Sequence, residues 1–298
     1  MKKPTFKVEV DTALEWLKSL KPCKNGHIIT CPPDERLKQT FEWDRIPRMF
    51  SILEESKRII MPTGNILVQV CMRKADLPGE VFNFVNEERL KVTDYYWNRM
   101  RCGNPYLSNR FPLPMLEPFL VIYANRLRYN DLREPRKGPT AEQSARAHQK
   151  RVGETISLAR LGLTLTRGET DLKTRHMGNL FEYDSMNTGE PMFGHPTRLP
   201  SKVAEQLVLT FTNQGDTIID PFCGVGSIGV AALKHGRSFI GCDIVQEYID
   251  TAERRLTVAL KGGKIVDEVS YERSKLRPAT GMGRQKPHPG NRGNATVV

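Results

Sequence analysis

The chain has 298 residues, of which 39% are hydrophobic and 27% charged. That composition supports one large α/β domain, and no apolar run nears the roughly 20 residues that span a bilayer. The N-terminal Met1-Lys2-Lys3-Pro4-Thr5 lacks the apolar stretch of a signal peptide, so a cytoplasmic protein with no membrane partner is expected. Lys and Arg number 45 against 34 Asp and Glu, a net charge of +11. Such an excess suits a polyanion partner, because each phosphate contact releases counterions; a solvated surface with a basic tail is the plainer alternative. The six cysteines are scattered, with no CxxC pair and no cysteine/histidine cluster, so they are expected as reduced thiols with no metal site.

In chain order, residues 8–20 carry Val8, Val10, Ala13, Leu14, Trp16, Leu17 and Leu20 at helical spacing, with Asp11 as a candidate N-cap. Gly26-His27-Ile28-Ile29-Thr30 is a short β-branched run that Cys31-Pro32-Pro33 must end. Residues 44–60 read as a helix, and Asn65 to Val70 as a buried strand. Residues 91–97 and 118–124 are further strand candidates. Between about 125 and 190 the apolar pattern thins and Arg and Lys become frequent, which predicts a partly irregular insertion with one helix near Ala141 to Lys150. The pattern resumes with a helix over 201–212, Ser201 being a candidate cap, and a strand Thr217-Ile218-Ile219-Asp220. A glycine turn, a helix over 227–235, a strand from Ser238 to Asp243 and a helix over 246–260 follow. One α/β domain over residues 1–262 is expected, with 125–190 inserted, then a basic, disordered tail over 263–298. From Lys261 onward there are eight Lys or Arg against three acids. A homodimer is compatible with this reading, and nothing in the sequence fixes the oligomeric state.

The stretch from Thr217 to Asp243 carries the most chemistry. A strand ends in Asp220, the turn Pro221-Phe222-Cys223-Gly224-Val225-Gly226 follows, and a helix begins. Glycines let a backbone approach a ligand, and a helix N-terminus offers unpaired N–H groups. Asp243 ends the next strand, about 20 residues past the glycines, where a carboxylate can accept both hydroxyls of a ribose. Gly224, Gly226 and Gly229 also fit the three-glycine form of a dinucleotide site. Against that, an acid at position 220 repels pyrophosphate and suits the amino group of a methionine moiety. S-adenosylmethionine on a Rossmann-like sheet is therefore the favoured cofactor.

With those residues in place, the chain resembles a β-class S-adenosylmethionine-dependent amino-methyltransferase of DNA. The first motif is matched by Asp220 to Ser227, then Ala231-Ala232, Gly236-Arg237, Phe239 to Asp243, Tyr248, Ala252 and Arg254-Arg255-Leu256. His195-Pro196-Thr197-Arg198-Leu199-Pro200 resembles the segment that precedes the cofactor strand and touches the methionine end. Thr30-Cys31-Pro32-Pro33-Asp34 falls where the family carries Thr-Ser-Pro-Pro-Tyr or Asp-Pro-Pro-Tyr, and 95–98 and 117–121 are similar to later motifs. The resemblance implies a Rossmann-like methyltransferase fold: a mostly parallel sheet, helices on both faces, and a circularly permuted motif order. It implies methylation of the exocyclic amino group of adenine or cytosine in DNA. Catalysis then falls to Cys31, Pro32, Pro33 and Asp34. Cofactor binding falls to Asp220, Pro221, Phe222, Gly224, Gly226, Asp243, Thr197 and Thr30. The Arg-rich insertion takes the place of the target-recognition region.

An aromatic amine is a poor nucleophile, because its lone pair is delocalised into the ring. In the family a Ser or Asp oxygen and a carbonyl between the prolines accept its protons, and an aromatic residue stacks on the flipped base. Here Cys31 is a weak acceptor and Asp34 cannot stack, which leaves the carbonyl of Pro32, with Phe41 or Trp43 as stacking candidates. The departure leaves three rivals to the main reading. One is a degenerate methyltransferase that binds nucleic acid or a partner subunit without turnover. Another makes Cys31 a thiolate nucleophile for carbon methylation of cytosine, without the expected neighbours. The third is RNA as the polymer, for which no RNA-specific module speaks. A restriction–modification system, a phage gene and an orphan regulator all fit as settings.

Overall fold

The computed structural model describes residues 3–33, 49–70, 76–100, 116–130, 132–135, 155–158, 163–166, 174–176, 180–184, 193–195 and 198–263. The chain opens with strand β1 (Phe6–Val10) and helix α1 (Ala13–Ser19). The single helix expected over 8–20 is thus two elements. Val8 and Val10 lie in a strand because Phe6 to Val10 pairs residue for residue with Phe239 to Asp243, and sheet pairing outweighs local helical spacing. Asp11 does not cap α1. The N-cap is Thr12, and Asp11 Oδ1 accepts the Thr12 N–H at 2.7 Å.

Next come β2 (Gly26–Thr30), α2 (Met49–Ile60) and β3 (Ile66–Gln69). Helix α2 buries Met49, Ile52, Leu53, Ser56, Ile59 and Ile60, the spacing of one helical face. Helix α3 (Asp76–Glu87) went unrecognised in the sequence, where Pro78 and Gly79 discourage a helix. Both residues fall in its first turn, where proline is tolerated. Strands β4 (Lys91–Met100) and β5 (Leu116–Tyr123) follow.

Four short strands come from the Arg-rich region: β6 (Arg133–Pro135), β7 (Thr155–Leu158), β8 (Leu163–Thr166) and β9 (Thr174–His176). They pair antiparallel as β6 with β9 and β7 with β8. The helix expected near residues 141–150 lies outside the described residues. Strand β10 (Leu180–Asp184) joins the main sheet beside β4. The last elements are α4 (Ser201–Phe211), β11 (Thr217–Asp220), α5 (Ser227–Lys234), β12 (Ser238–Asp243) and α6 (Gln246–Leu260). Ser201 is the first residue of α4, not its cap; Pro200 holds the cap position with no side-chain bond. The basic tail from residue 264 lies outside the described residues.

The main sheet has eight strands in the order β1-β12-β11-β2-β3-β5-β4-β10. Strand β5 pairs antiparallel with both neighbours, and every other pairing is parallel. The expected α/β, mostly parallel sheet is present, with helices on both faces. Successive strand residues divide between two cores, as the two-residue period of a strand requires. Ile29, Leu67, Val121 and Ile218 pack with α4, α5 and α6. Ile28, Ile66, Ile122 and Ile219 pack with α1, α2 and α3. Covering both faces is what makes these strands near-continuous apolar runs.

The starting rim of the sheet is pinned by a buried polar cluster. The Asn65 N–H donates to His27 Nδ1 at 3.2 Å, and His27 Nε2 lies 3.3 Å from Asp216 Oδ2 and 3.1 Å from Arg128 Nη1. Arg128 Nη2 lies 3.3 Å from the same oxygen. Burial holds His27 below its ordinary pKa, against the opposing pull of Asp216. Arg237 ties the same rim to Thr212, through Nε to Oγ1 at 3.1 Å and Nη2 to the carbonyl at 2.7 Å. Satisfied buried groups of this kind hold one arrangement firmly.

Candidate functional site

Along the sheet, chain order runs outward from β11 to β12 on one side and from β2 to β3 on the other. The switch point lies between β11 and β2, and the crevice outside the ends of such strands is where α/β sheets bind ligands. Asp220 ends β11 there and Thr30 ends β2. Thr30 Oγ1 donates to Asp220 Oδ1 at 2.7 Å, and both residues are buried. The Phe222 N–H donates to the same Oδ1 at 3.1 Å. Asp220 Oδ2 takes no hydrogen bond among the described residues. Burial pushes the Asp220 carboxyl up to about 7; the two donated bonds pull it down and the charge of Asp243 adds to the rise.

The turn after Asp220 depends on glycine. Gly224 and Gly226 have φ of 48° and 74°, a left-handed region that side chains disfavour. Gly226 is also the N-cap of α5, and its carbonyl accepts the Val230 N–H at 2.9 Å. At the first position of α5, the buried Ser227 Oγ finds no hydrogen-bond partner among the described residues. Asp243 grips this turn from the neighbouring strand. Its Oδ2 accepts the Gly224 N–H and its Oδ1 the Val245 N–H, each at 3.0 Å. Burial raises the Asp243 carboxyl, offset by the N–H groups of Val245, Gly224 and Ile244.

A brace behind the turn was not foreseen. Arg255 on α6 donates from Nη1 to the Val225 carbonyl, and its guanidinium lies 4.1 Å from the centre of the Phe193 ring. The His195 ring packs on Tyr248 with centroids 4.6 Å apart, and a Cβ on Gly224 would come within 3.1 Å of His195 Nε2. Burial, with Arg198 and Arg255 nearby, lowers the His195 pKa to about 4, so the ring is neutral. The signal for the brace was present in the sequence. Ile249, Ala252, Leu256 and Ala259 mark the buried face of α6, and Arg255 falls on that face.

Of the residues singled out from sequence, Thr30, Asp220, Pro221, Phe222, Gly224, Gly226 and Asp243 converge at the switch point. Cys31, Pro32 and Pro33 are partly buried just beyond β2, and Cys31 packs against the core shared with α4, α5 and α6. Asp34, Phe41, Trp43 and Thr197 lie outside the described residues, so the second half of the variant motif has no geometry to report. Among the described residues no His/Cys/Asp/Glu group is arranged to hold a metal, and no helix is long and apolar enough to cross a membrane.

The sequence matches the family described as DNA methylase over residues 27–254, which takes in the Cys31 segment, the glycine turn and most of α6. The chain belongs to the DNA methylase family. Among curated relatives it is 36% identical over 104 residues to the type II methyltransferase M2.DpnII of Streptococcus pneumoniae, covering 30% of this chain and 39% of that protein. It is 43% identical over 65 residues to the DNA adenine methyltransferase YhdJ of Escherichia coli K12, covering 22% of each. These alignments span well under half of the relatives' length. Solved methylases extend the likeness of fold across nearly the whole chain. The M1.HpyAVI–SAM complex superposes with a TM-score of 0.55 at 20% identity, covering 85% of this chain and 99% of that one. The cytosine-N4-specific PvuII DNA methyltransferase gives a TM-score of 0.58 at 15% identity, covering 92% and 93%.

Proposed function

We propose that this chain is an S-adenosylmethionine-dependent methyltransferase acting on the exocyclic amino group of adenine or cytosine in DNA. The observation that carries it is a pair of carboxylates, the buried Asp220 and the half-buried Asp243, on either side of a glycine turn at the switch point, one strand from Cys31-Pro32-Pro33. A cytoplasmic setting goes with it, as does the permuted motif order that the resemblance implies.

The residues fit the cofactor. Asp220 Oδ2 suits the cationic amino group of the methionine moiety. The Ser227 hydroxyl, without a partner among the described residues, and the first N–H groups of α5 suit its carboxylate. Asp243 has lone pairs left for the ribose hydroxyls beside its backbone bonds. When bound, S-adenosylmethionine supplies an electrophilic methyl group on a sulfonium. The chain's own task is to hold the target amine beside that position. The Pro32 carbonyl and Cys31 Sγ are the acceptors for the amine's protons, and the prolines keep that segment rigid. Holding two reactants in line contributes much of the rate.

Asp243→Ala is expected to weaken S-adenosylmethionine binding by roughly 10–100-fold, the worth of one charge-assisted hydrogen bond. Calorimetric titration of both proteins checks this, and unchanged affinity would remove Asp243 from the site.

Transfer of labelled methyl to double-stranded DNA, single-stranded DNA and RNA, with nucleoside analysis, tests the function. The expected products are N6-methyladenine or N4-methylcytosine in DNA. Cys31→Ser is expected to keep or raise the rate, because a hydroxyl accepts better than a thiol. A large loss with folding intact would point to thiol chemistry instead. Cys31 itself favours a second reading, a methyltransferase fold that binds nucleic acid or a partner subunit without turnover. Tight cofactor binding with no label on any polymer would select it.

A further inference from the structure

We propose that Thr30 is a positioning residue that couples cofactor binding to the target-base segment, by holding Asp220 with its hydroxyl while its backbone leads directly into Cys31-Pro32-Pro33. This rests on the cofactor reading above and adds to it a role for Thr30 that differs from direct cofactor contact.

The geometry is specific. The two residues are 190 positions apart in the chain, and the bond is buried and short at 2.7 Å. It joins the ends of adjacent parallel strands on either side of the switch point. Thr30 is the last residue of β2, so any shift of Asp220 is passed to Cys31 through one peptide unit. Both donated bonds on Asp220 arrive at Oδ1, from Thr30 and from the Phe222 N–H. They fix the plane of the carboxyl and leave Oδ2 without a donor among the described residues. A threonine hydroxyl stabilises the carboxylate more than the neutral acid, which accepts more weakly.

The surroundings make that bond matter. Among the described residues the other titratable groups that act on or with Asp220 are Asp243 on β12 and the buried thiols of Cys223 and Cys242. Burial holds both thiols neutral, and Asp243 repels a second negative charge. Among the described residues no cationic side chain contributes to the Asp220 environment, so its ionisation leans on Thr30 and the Phe222 N–H. A cationic amino group needs the ionised form. Cofactor affinity should therefore fall about tenfold per pH unit below the Asp220 midpoint. It should fall again where an α-amino group loses its proton, near pH ~8.

The test is a calorimetric titration of S-adenosylmethionine into wild type, Thr30→Val and Thr30→Ser from pH 5.5 to 8.5, with thermal unfolding alongside. Thr30→Val keeps the shape and removes the donor. It is expected to move the acid limb of the affinity profile up by about one pH unit. Affinity at pH 6.5 should drop about tenfold, and kcat should fall more than the KM for DNA changes. Thr30→Ser restores the donor and should return the limb to its wild-type position. If Thr30→Val folds poorly, Thr30→Ala removes the same donor and carries the same expected shift. A wild-type acid limb in folded Thr30→Val or Thr30→Ala would overturn the coupling role, and so would a shifted limb in Thr30→Ser. Wild-type protein that binds no cofactor at any pH would instead overturn the cofactor reading itself.

Discussion

Asp220→Asn is expected to weaken S-adenosylmethionine binding by at least about 100-fold while making the unliganded protein more stable above pH 7. The first effect follows from the proposed role: a carboxylate oxygen that would meet a cationic amino group is replaced with an amide. A hydrogen bond between charged groups is worth about 1.5–3 kcal/mol, and an NH₂ donor facing an ammonium adds repulsion. The second follows from burial. The folded-state pKa of Asp220 is raised to about 7, against an ordinary value near 3.8. Between those values the folded protein holds a proton that the unfolded chain has released. Stability from this group therefore falls as pH rises from about 4 to about 7, and above 7 a buried negative charge remains. Asparagine keeps an oxygen for Thr30 and Phe222 and carries no charge. Thermal unfolding of both proteins at pH 5 and pH 8, beside calorimetry at pH 7.5, checks the pair of effects. The variant's advantage should be larger at pH 8 than at pH 5. An affinity within threefold of wild type would mean that Asp220 does not meet the cofactor.

Phe239→Ala should be the most destabilising single change in the sheet. Phe239 is fully buried near the start of β12. Its ring occupies space that two glycines leave open. A Cβ on Gly229 would lie 2.6 Å from Phe239 Cδ1, and one on Gly241 2.9 Å from Cζ. Gly229 is thus set by close helix–strand packing in α5, separately from the turn that needs Gly224 and Gly226. Deleting such a ring costs about 3–5 kcal/mol, because the neighbours relax only partly into the cavity. For a chain of this size that lowers Tm by roughly 5–8 °C. Cofactor affinity should fall less than in Asp220→Asn, since no ligand-facing atom is lost. A Tm change under about 2 °C would show that α5 collapses onto β12 without the ring.

The contrast between these positions explains what could be read from the sequence. From Thr217 to Leu260 the elements are local: strand, glycine turn, helix, strand, helix, each marked by its own period and punctuation. That stretch folds as expected to within a residue or two. The segment at 8–20 misled because Val8, Val10, Ala13, Trp16 and Leu17 satisfy a helical spacing. What makes residues 6–10 a strand is pairing with β12, more than 200 positions away. Helix α3 was hidden by Pro78 and Gly79, harmless in a first turn. The candidate site divides in the same way. Asp220, the glycines and Asp243 stand out because their backbone role dictates residue type. The Thr30–Asp220 bond and the Arg255 brace on Val225 and Phe193 arise only when distant segments meet. A charged residue on the buried face of α6 was the one local hint of the brace.

The most direct measurement is a calorimetric titration of S-adenosylmethionine into the wild-type protein at pH 7.5, repeated with Asp220→Asn and Asp243→Ala. One site per chain, nearly lost in the first variant and weakened in the second, is the predicted result. Absence of binding by folded wild-type protein, or equal affinity in all three, would contradict a cofactor seated on the glycine turn between β11 and α5.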